Sequence, residues 1–267
     1  MDNDPIRICT IVPVQPVQPE EEPSNGILAR IWEFIKRPFE PAKHYLAVSR
    51  NLKWEPGQTL RVRFLGGSFL VKNMVKKYAL VWLEHANLKM EFVESGDADI
   101  RISFWRGDSW SVIGLEAYEV PPDKPTMNFG WFNDYTPEEE FSRTVLHEFG
   151  HALGCIHEHQ NPAENINWNE KEVFDHYKKA QPTWDEDQVR RNIFKQYSRD
   201  STQFSSYDKD SIMVYEIPVS FTLDGHCTKS NKQLSEQDKL FMSKVYPRLE
   251  FEDENCASND DLMPQAG

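Results

Sequence analysis

One segment, residues 147–157, constrains the fold of this chain more than any other, and it reads HEFGHALGCIH. On an α-helix, His147 and His151 lie one turn apart on the same face, so both imidazoles can reach one zinc ion at about 2.0–2.1 Å. Gly154 predicts the end of that helix, because glycine adopts the left-handed conformation that turns a chain back. His157 can then approach the same ion from another direction.

The same residues predict the chemistry of the site. Three neutral imidazoles leave a fourth zinc position for water, which is typical of a catalytic zinc. Glu148 follows the first histidine by one position, so its carboxylate lies beside the metal and can take a proton from that water. We therefore expect one catalytic Zn2+, with His147, His151 and His157 as ligands and Glu148 as general base.

Two other interpretations of this segment stay open. The histidines could be a chance cluster at a surface, since four of the eight histidines of the chain fall within residues 147–159. The zinc could also be purely structural, closed by a fourth ligand such as Cys155, His159 or Tyr215. Cys155 comes just after the predicted turn, where we expect it to fill the core.

Hydrophobic patterns around the segment predict a mixture of strands and helices. The predicted strands cover residues 59–64, 88–92, 98–104, 111–118 and 126–131. The predicted helices cover residues 71–82, 136–153, 169–180, 185–197 and 235–246. In the second helix, Thr136 supplies a capping hydroxyl and Pro137 the first helical position.

Composition and charge exclude several classes of protein. The chain has 267 residues, 39% of them hydrophobic, with no apolar run of the ~18–20 residues that a membrane span needs. Of the formal net charge of −13, residues 1–25 carry −4 and residues 250–267 carry −6. The remaining −3 leaves no basic surface for nucleic acid. We expect neither a nucleic-acid partner nor membrane insertion, and the oligomeric state stays unknown.

Composition also divides the chain into three parts. Residues 1–45 are rich in proline and acids, and we expect an extension that is disordered or acts as a pro-segment. Residues 46–249 form the catalytic domain, and residues 250–267 form an acidic disordered tail. The N-terminus lacks the basic start and apolar run of a secretion signal, which leaves a cytoplasmic location or export by a non-classical route.

HEFGHALGCIH resembles the extended zinc signature of metzincin metallopeptidases, and HEHQNP, which starts at His157, resembles the astacin-like branch or a related microbial group. SIMVY at residues 211–215 is similar to the Met-turn of these enzymes. The resemblance implies an α+β metzincin-type zincin: a twisted mixed sheet with helices in an upper lobe, a mostly helical and irregular lower lobe, and a cleft between them. It also implies that Met213 supports the metal site and that Tyr215 is an extra ligand or an oxyanion donor.

Two residues need comment against that family. Val214 stands where the astacin-like Met-turn usually has a histidine. In that branch, the acid that corresponds to Glu158 can pair with a freed N-terminus. The alternative interpretation of Glu158 is an ordinary acid at a helix edge.

These features predict a zinc metalloendopeptidase, a hydrolase that cleaves polypeptides with a zinc-bound water and Glu148 as general base. We expect the substrate to bind extended along an edge strand, for which residues 111–118 are the candidate. The alternatives are a catalytically silent zinc-binding module of the same fold and a zinc hydrolase of small amides or esters.

A further hypothesis concerns Cys9, the one thiol of the N-terminal extension. Residues 1–45 could cover the cleft, with Cys9 or an acid of the extension in the open zinc position. The sequence assigns no chemical role to Cys155, Cys227 or Cys256. It predicts neither the cleavage specificity nor the physiological substrate.

Overall fold

The computed structural model describes residues 9–11, 48–49, 52–181, 184–197, 202–203 and 206–248, so most of the predicted extension and all of the predicted tail lie outside the described residues. The strands are β1 (Cys9–Ile11), β2 (Val48–Ser49), β3 (Thr59–Phe64), β4 (Lys89–Val93), β5 (Ile100–Ser103), β6 (Ser109–Ser111), β7 (Met127–Asn128) and β8 (Thr202–Gln203). The helices are α1 (Phe69–Ala79), α2 (Glu138–Ala152), α3 (Glu170–Ala180), α4 (Glu186–Val189) and α5 (Glu236–Val245). Shorter 3-10 helices cover Leu80–Glu84, Gly114–Tyr118, Glu158–Gln160 and Val219–Phe221, and a π-helical turn covers Arg190–Phe194.

The main sheet is mixed, with the strand order β1-β6-β7-β5-β3-β4. The pairs β4–β3, β3–β5 and β5–β7 are parallel, whereas the pair β7–β6 is antiparallel. β1 lies outside β6 and runs parallel to it, with Cys9 opposite Ser109. β1 therefore covers the side of β6 that would otherwise be the open edge of the sheet. A separate antiparallel pair joins β2 to β8.

Two clusters of buried side chains correspond to the two predicted lobes. The larger cluster joins the sheet, α1, α2 and α5, and includes Val62, Val75 and Phe149. The smaller cluster lies around α3, α4 and the chain after residue 212, and includes Val173 and Ile217. Helix α2 packs against α1 and reaches β6. Because the catalytic segment begins on α2 and continues into the lower lobe, it lies where the two clusters meet.

The end of α2 is held by side chains that are distant in the sequence. Gly154 has a φ of +100°, the left-handed conformation that the sequence predicts there. The last carbonyls of a helix have no partner within the helix. Here the indole of Trp54 donates to the carbonyl of Ala152 at 2.7 Å, and the hydroxyl of Tyr246 donates to that of Leu153 at 2.7 Å. The C-terminal end of α2, where the two lobes meet, is therefore held in a fixed position.

Several predicted element boundaries are wrong, and for two of them the structure shows the local cause. Pro137 is the N-cap of α2 and not its first residue, and the hydroxyl of Thr136 accepts from the amide of Asn133 at 2.9 Å. The predicted strand over residues 111–118 ends at Ser111. Gly114 turns the chain with a φ of +48°, at a point where a side chain would collide with the main chain of residue 52.

None of the helices in the described part of the chain combines the length and apolar composition that crossing a bilayer requires.

Arg101 of β5 is a fully buried cation whose guanidinium donates to main-chain carbonyls. The carbonyls of Lys124, Ala98 and Val120 accept at 2.7, 2.9 and 3.1 Å. Burial lowers the pKa of Arg101 to about 10, so the group stays charged at neutral pH. These bonds tie the loop before β7 to the middle of the sheet.

We predict that Arg101→Met lowers the free energy of unfolding by about 3 kcal/mol or more, because several buried carbonyls lose their donor. Urea denaturation followed by circular dichroism measures this change. Arg61→Met on β3 is the matched control, because its side chain is 41% exposed and reaches Glu91 only at 3.9 Å. A loss no larger for Arg101→Met than for the control would contradict the assigned role.

Candidate active site

The junction of the two lobes brings His147, His151 and His157 together, and all three are buried. The first two lie on one face of α2, and the turn at Gly154 returns the chain so that the third lies opposite them. The ring nitrogens that they offer all lie within 4.8 Å of one another. A tetrahedral zinc with bonds of about 2.0–2.1 Å places its ligand nitrogens about 3.4 Å apart, so small adjustments would fit these rings to the ion.

Main-chain carbonyls determine which nitrogen of His147 and of His151 faces the cluster. Nδ1 of His147 lies 2.8 Å from the carbonyl of Ile212, and Nδ1 of His151 lies 2.8 Å from that of Cys155. Each carbonyl can only accept a hydrogen bond, so it holds the proton on Nδ1 and leaves the lone pair of Nε2 for a metal.

Outside the three rings, no described residue donates a hydrogen bond to the Nε2 atoms that face the cluster. Nε2 of His147 is buried with no hydrogen-bond partner among the described residues. The Nε2 atoms of His151 and His157 are 3.1 Å apart. Buried acceptors are rarely left without partners, and a shared cation satisfies all three. This observation fits the residues to the Zn2+ that the sequence predicts.

Burial keeps these rings neutral. It lowers the pKa of His151 to about 4, and the pKa values of His147 and His157 fall well below the usual value for the same reason. Neutral imidazole is the form that binds metal.

The predicted Met-turn lies against the histidine helix. Met213 is buried, and a side chain at Gly150 would lie 2.3 Å from its sulfur, so the glycine lets the turn approach α2. Asp238 of α5 accepts from the hydroxyl of Ser211 at 2.7 Å and from the amide of Ile212 at 2.8 Å. The start of α5 therefore holds the carbonyl that orients His147.

Glu148 is completely buried next to the histidine cluster. Neither of its carboxylate oxygens has a hydrogen-bond partner among the described residues. Burial raises the pKa of Glu148 to about 8, against the opposing effects of Cys9 and the cation of Arg143. This shift favours the protonated carboxyl group at neutral pH. The positive charge of a bound zinc would lower the pKa again, and a carboxylate with both oxygens open could then accept a proton from a molecule that enters the cleft.

Tyr215 closes the other side of the cluster. Its ring centroid lies 4.1 Å from that of His157 and 4.7 Å from that of His159. Burial raises the pKa of Tyr215 well above its usual value, so the hydroxyl keeps its proton. That hydroxyl donates to the main-chain carbonyl of Cys9.

The strand β1 brings Cys9 into the same space. The residue is 2% exposed, and the charges of Glu148 and Arg143 act on its thiol. The segment pairs with β6 and receives the hydrogen bond of Tyr215, so it lies between the edge strand and the histidine cluster.

The candidates for a closing fourth ligand have other neighbours. The sulfur of Cys155 packs 3.8 Å from that of Met242, in the core as we expected. Nε2 of His159 lies 3.0 Å from the carbonyl of Asn192. Within the described residues, the group that could hold a metal contains the three histidines and no other histidine, cysteine or acid.

The interpretation of Glu158 as an ordinary helix-edge acid is wrong. The side chain is buried, and one carboxylate oxygen accepts from the amide of Asp208 and the side chain of Asn161, both at 3.0 Å. It joins the chain after the third histidine to the segment that leads into the Met-turn.

Sequence reasoning missed Arg143, which lies beside the cluster. It pairs with Glu140 through two bonds of 2.6 and 2.9 Å. Its position four residues before His147 puts it on the histidine face of α2, so helical spacing could have identified it.

Comparison with known proteins agrees with this geometry. No family model matches the chain. One structure of myroilysin matches with 46% identity and a TM-score of 0.74, covering 76% of this chain and 99% of that chain. A second structure of myroilysin matches with 43% identity and a TM-score of 0.60, covering 81% of this chain and 96% of that chain.

The fold and the histidine cluster define a zinc metalloendopeptidase of the metzincin class. With its identity and coverage, the chain belongs to the family of myroilysin. The predicted α+β metzincin fold, the enzyme class and the catalytic Zn2+ are thereby confirmed.

We predict that the purified protein holds one zinc per chain and that His151→Gln weakens zinc affinity on the order of 100-fold or more. Replacing only the hydrogen-bond partner of a metal ligand already lowers metal affinity by about 10- to 100-fold. Metal analysis after dialysis against a weak chelator measures both values. His85→Gln, outside the cluster, should keep its zinc. Equal zinc retention in the two variants would contradict the assignment.

Proposed function

We propose that this protein cleaves peptide bonds within polypeptides, with zinc held by His147, His151 and His157 and with Glu148 as general base. The observation that carries the proposal is the buried carboxylate of Glu148, open at both oxygens, beside three convergent ring nitrogens. When bound, zinc supplies Lewis acidity toward the scissile carbonyl and toward water.

The chain's own groups account for the proton transfers. Glu148 accepts a proton from the attacking water and delivers it to the leaving amine. The carbonyl of Ile212 holds the ring of His147 in position, and Met213 packs against α2 at Gly150.

Tyr215 is the group that would stabilise the oxyanion. Its hydroxyl is protonated and donates to the carbonyl of Cys9, a peptide group of an extended segment in the cleft. A substrate carbonyl in the same place would receive the same bond, which becomes stronger as negative charge develops on the oxygen.

The polypeptide substrate would bind extended along β6. Without β1, this strand has one edge open to main-chain hydrogen bonds, which are common to all peptides and need no particular side chain. β1 pairs with Ser109–Ser111, so we propose these residues as the substrate-binding edge in place of the predicted range 111–118.

We predict that Glu148→Gln keeps its zinc and lowers kcat by about 10²–10⁴-fold, because an amide cannot accept the proton. The assay is chelator-sensitive cleavage of casein by chains that begin at residue 46. Glu139→Gln, an exposed position on α2, is the matched control and should keep full activity. A zinc-loaded wild-type chain that cleaves neither casein nor short peptides would favour the silent module.

We further propose that residues 1–45 keep the enzyme latent. Three contacts support this: β1 pairs with the edge that the substrate needs, its carbonyl takes the hydrogen bond of Tyr215, and the thiol of Cys9 lies beside Glu148. Thiolate is also a zinc ligand, so the side chain suits the site chemically.

We predict that Cys9→Ser raises the casein-cleaving rate of the full chain at least about tenfold, because serine is a poor substitute for a thiolate at zinc. Cys227→Ser changes an exposed thiol and should leave the rate unchanged. If neither Cys9→Ser nor deletion of residues 1–45 raised the rate, the pro-segment proposal would fail.

A further inference from the structure

Asp108 stands at the rim of the cleft, in the residue before β6. Its carbonyl accepts from the side chain of Asn128 at 2.7 Å, which fixes the loop to the neighbouring strand. Its carboxylate Oδ1 accepts from the side-chain amide of Gln181 at 3.3 Å. Gln181 is the C-cap of α3, so this hydrogen bond joins the upper lobe to the lower lobe across the cleft.

Two aromatic rings of the lower lobe lie close to Gln181 in the chain. Tyr177 and Trp184 are stacked, with ring centroids 5.3 Å apart and planes at 7°. The amide of Gln181 donates to the carbonyl of Tyr177 at 2.8 Å, and its own carbonyl accepts from Trp184 at 2.9 Å. Tyr215 packs against the same cluster as the stacked pair. Gln181 therefore connects Asp108 to the aromatic cluster against which Tyr215 packs.

The charge of Asp108 is not neutralised by the described part of the chain. It forms no ion pair with a described residue, and its second carboxylate oxygen has no described hydrogen-bond partner. Its one partner is a neutral amide at a long distance. A carboxylate whose one described partner is a neutral amide attracts a cation through charge-assisted hydrogen bonds.

The register of β1 relates this place to the scissile bond. Cys9 lies opposite Ser109, and its carbonyl receives the hydrogen bond of Tyr215. Asp108 is the residue directly before Ser109. A polypeptide along β6 with its scissile carbonyl near Tyr215 therefore passes Asp108 within one or two residues of the cut.

We propose that Asp108 and Gln181 form a specificity subsite for a lysine or arginine side chain of the substrate. The proposal rests on the proposed peptidase function and defines its substrate class. The cationic group donates to the carboxylate of Asp108, in competition with the side-chain amide of Gln181.

The test uses peptides in which one position at a time, on either side of the cut, holds arginine or its uncharged analogue citrulline. The enzyme is the full chain, activated by limited proteolysis to constant activity. At one position we expect kcat/KM to be about tenfold higher for arginine, the scale of one hydrogen bond to a charged group. Asp108→Asn should reduce this ratio to within about twofold.

Two further variants keep the test independent of folding. Asp108→Glu retains the charge and should retain an arginine preference. Asp97→Asn changes an exposed acid in the turn before β5 and should keep the wild-type ratio. An equal rate for arginine and citrulline at every position, or a preference that survives Asp108→Asn, would overturn the subsite. Failure to cleave any peptide would instead count against the peptidase function.

Discussion

Burying three imidazoles whose ring nitrogens face one another is the constraint on which this structure depends. Such an arrangement leaves acceptor lone pairs without donors, and only a cation satisfies them together. The protein prepares for that cation by using carbonyls of Ile212 and Cys155 to set the ring tautomers. Much of the remaining architecture serves to hold these two carbonyls and the helix between them.

The support comes from both ends of the chain. Trp54 and Tyr246 bind the terminal carbonyls of α2, and Asp238 binds the turn that presents Ile212. These contacts belong to the core, so the stability of the upper lobe and the geometry of the metal site are linked. A change that loosens α5 would move the first histidine without touching it.

Two extended segments compete for the same side of β6: β1 of the chain itself and, in the proposed function, a polypeptide substrate. An open strand edge accepts any extended chain, which suits a peptidase but is also a hazard for aggregation. In the full chain β1 pairs with that edge. Because the segment is covalently tethered, its effective concentration at the cleft exceeds that of most free peptides, and cutting the tether removes this advantage. In the function proposed above, latency and substrate binding depend on the same hydrogen bonds.

The sequence by itself determined the metal-binding segment, because the spacing of His147, His151, Gly154 and His157 acts within one helix and one turn. It also determined the main strands and helices, whose periodic patterns express local burial. It failed at Ser111, where the turn that ends β6 depends on contact with residue 52, and at Pro137, where one position separates a cap from a first turn. Only the tertiary structure decided that Cys9 lies beside Glu148 and that Asp108 meets Gln181, because these residues are far apart in the chain and are brought together by packing of the lobes.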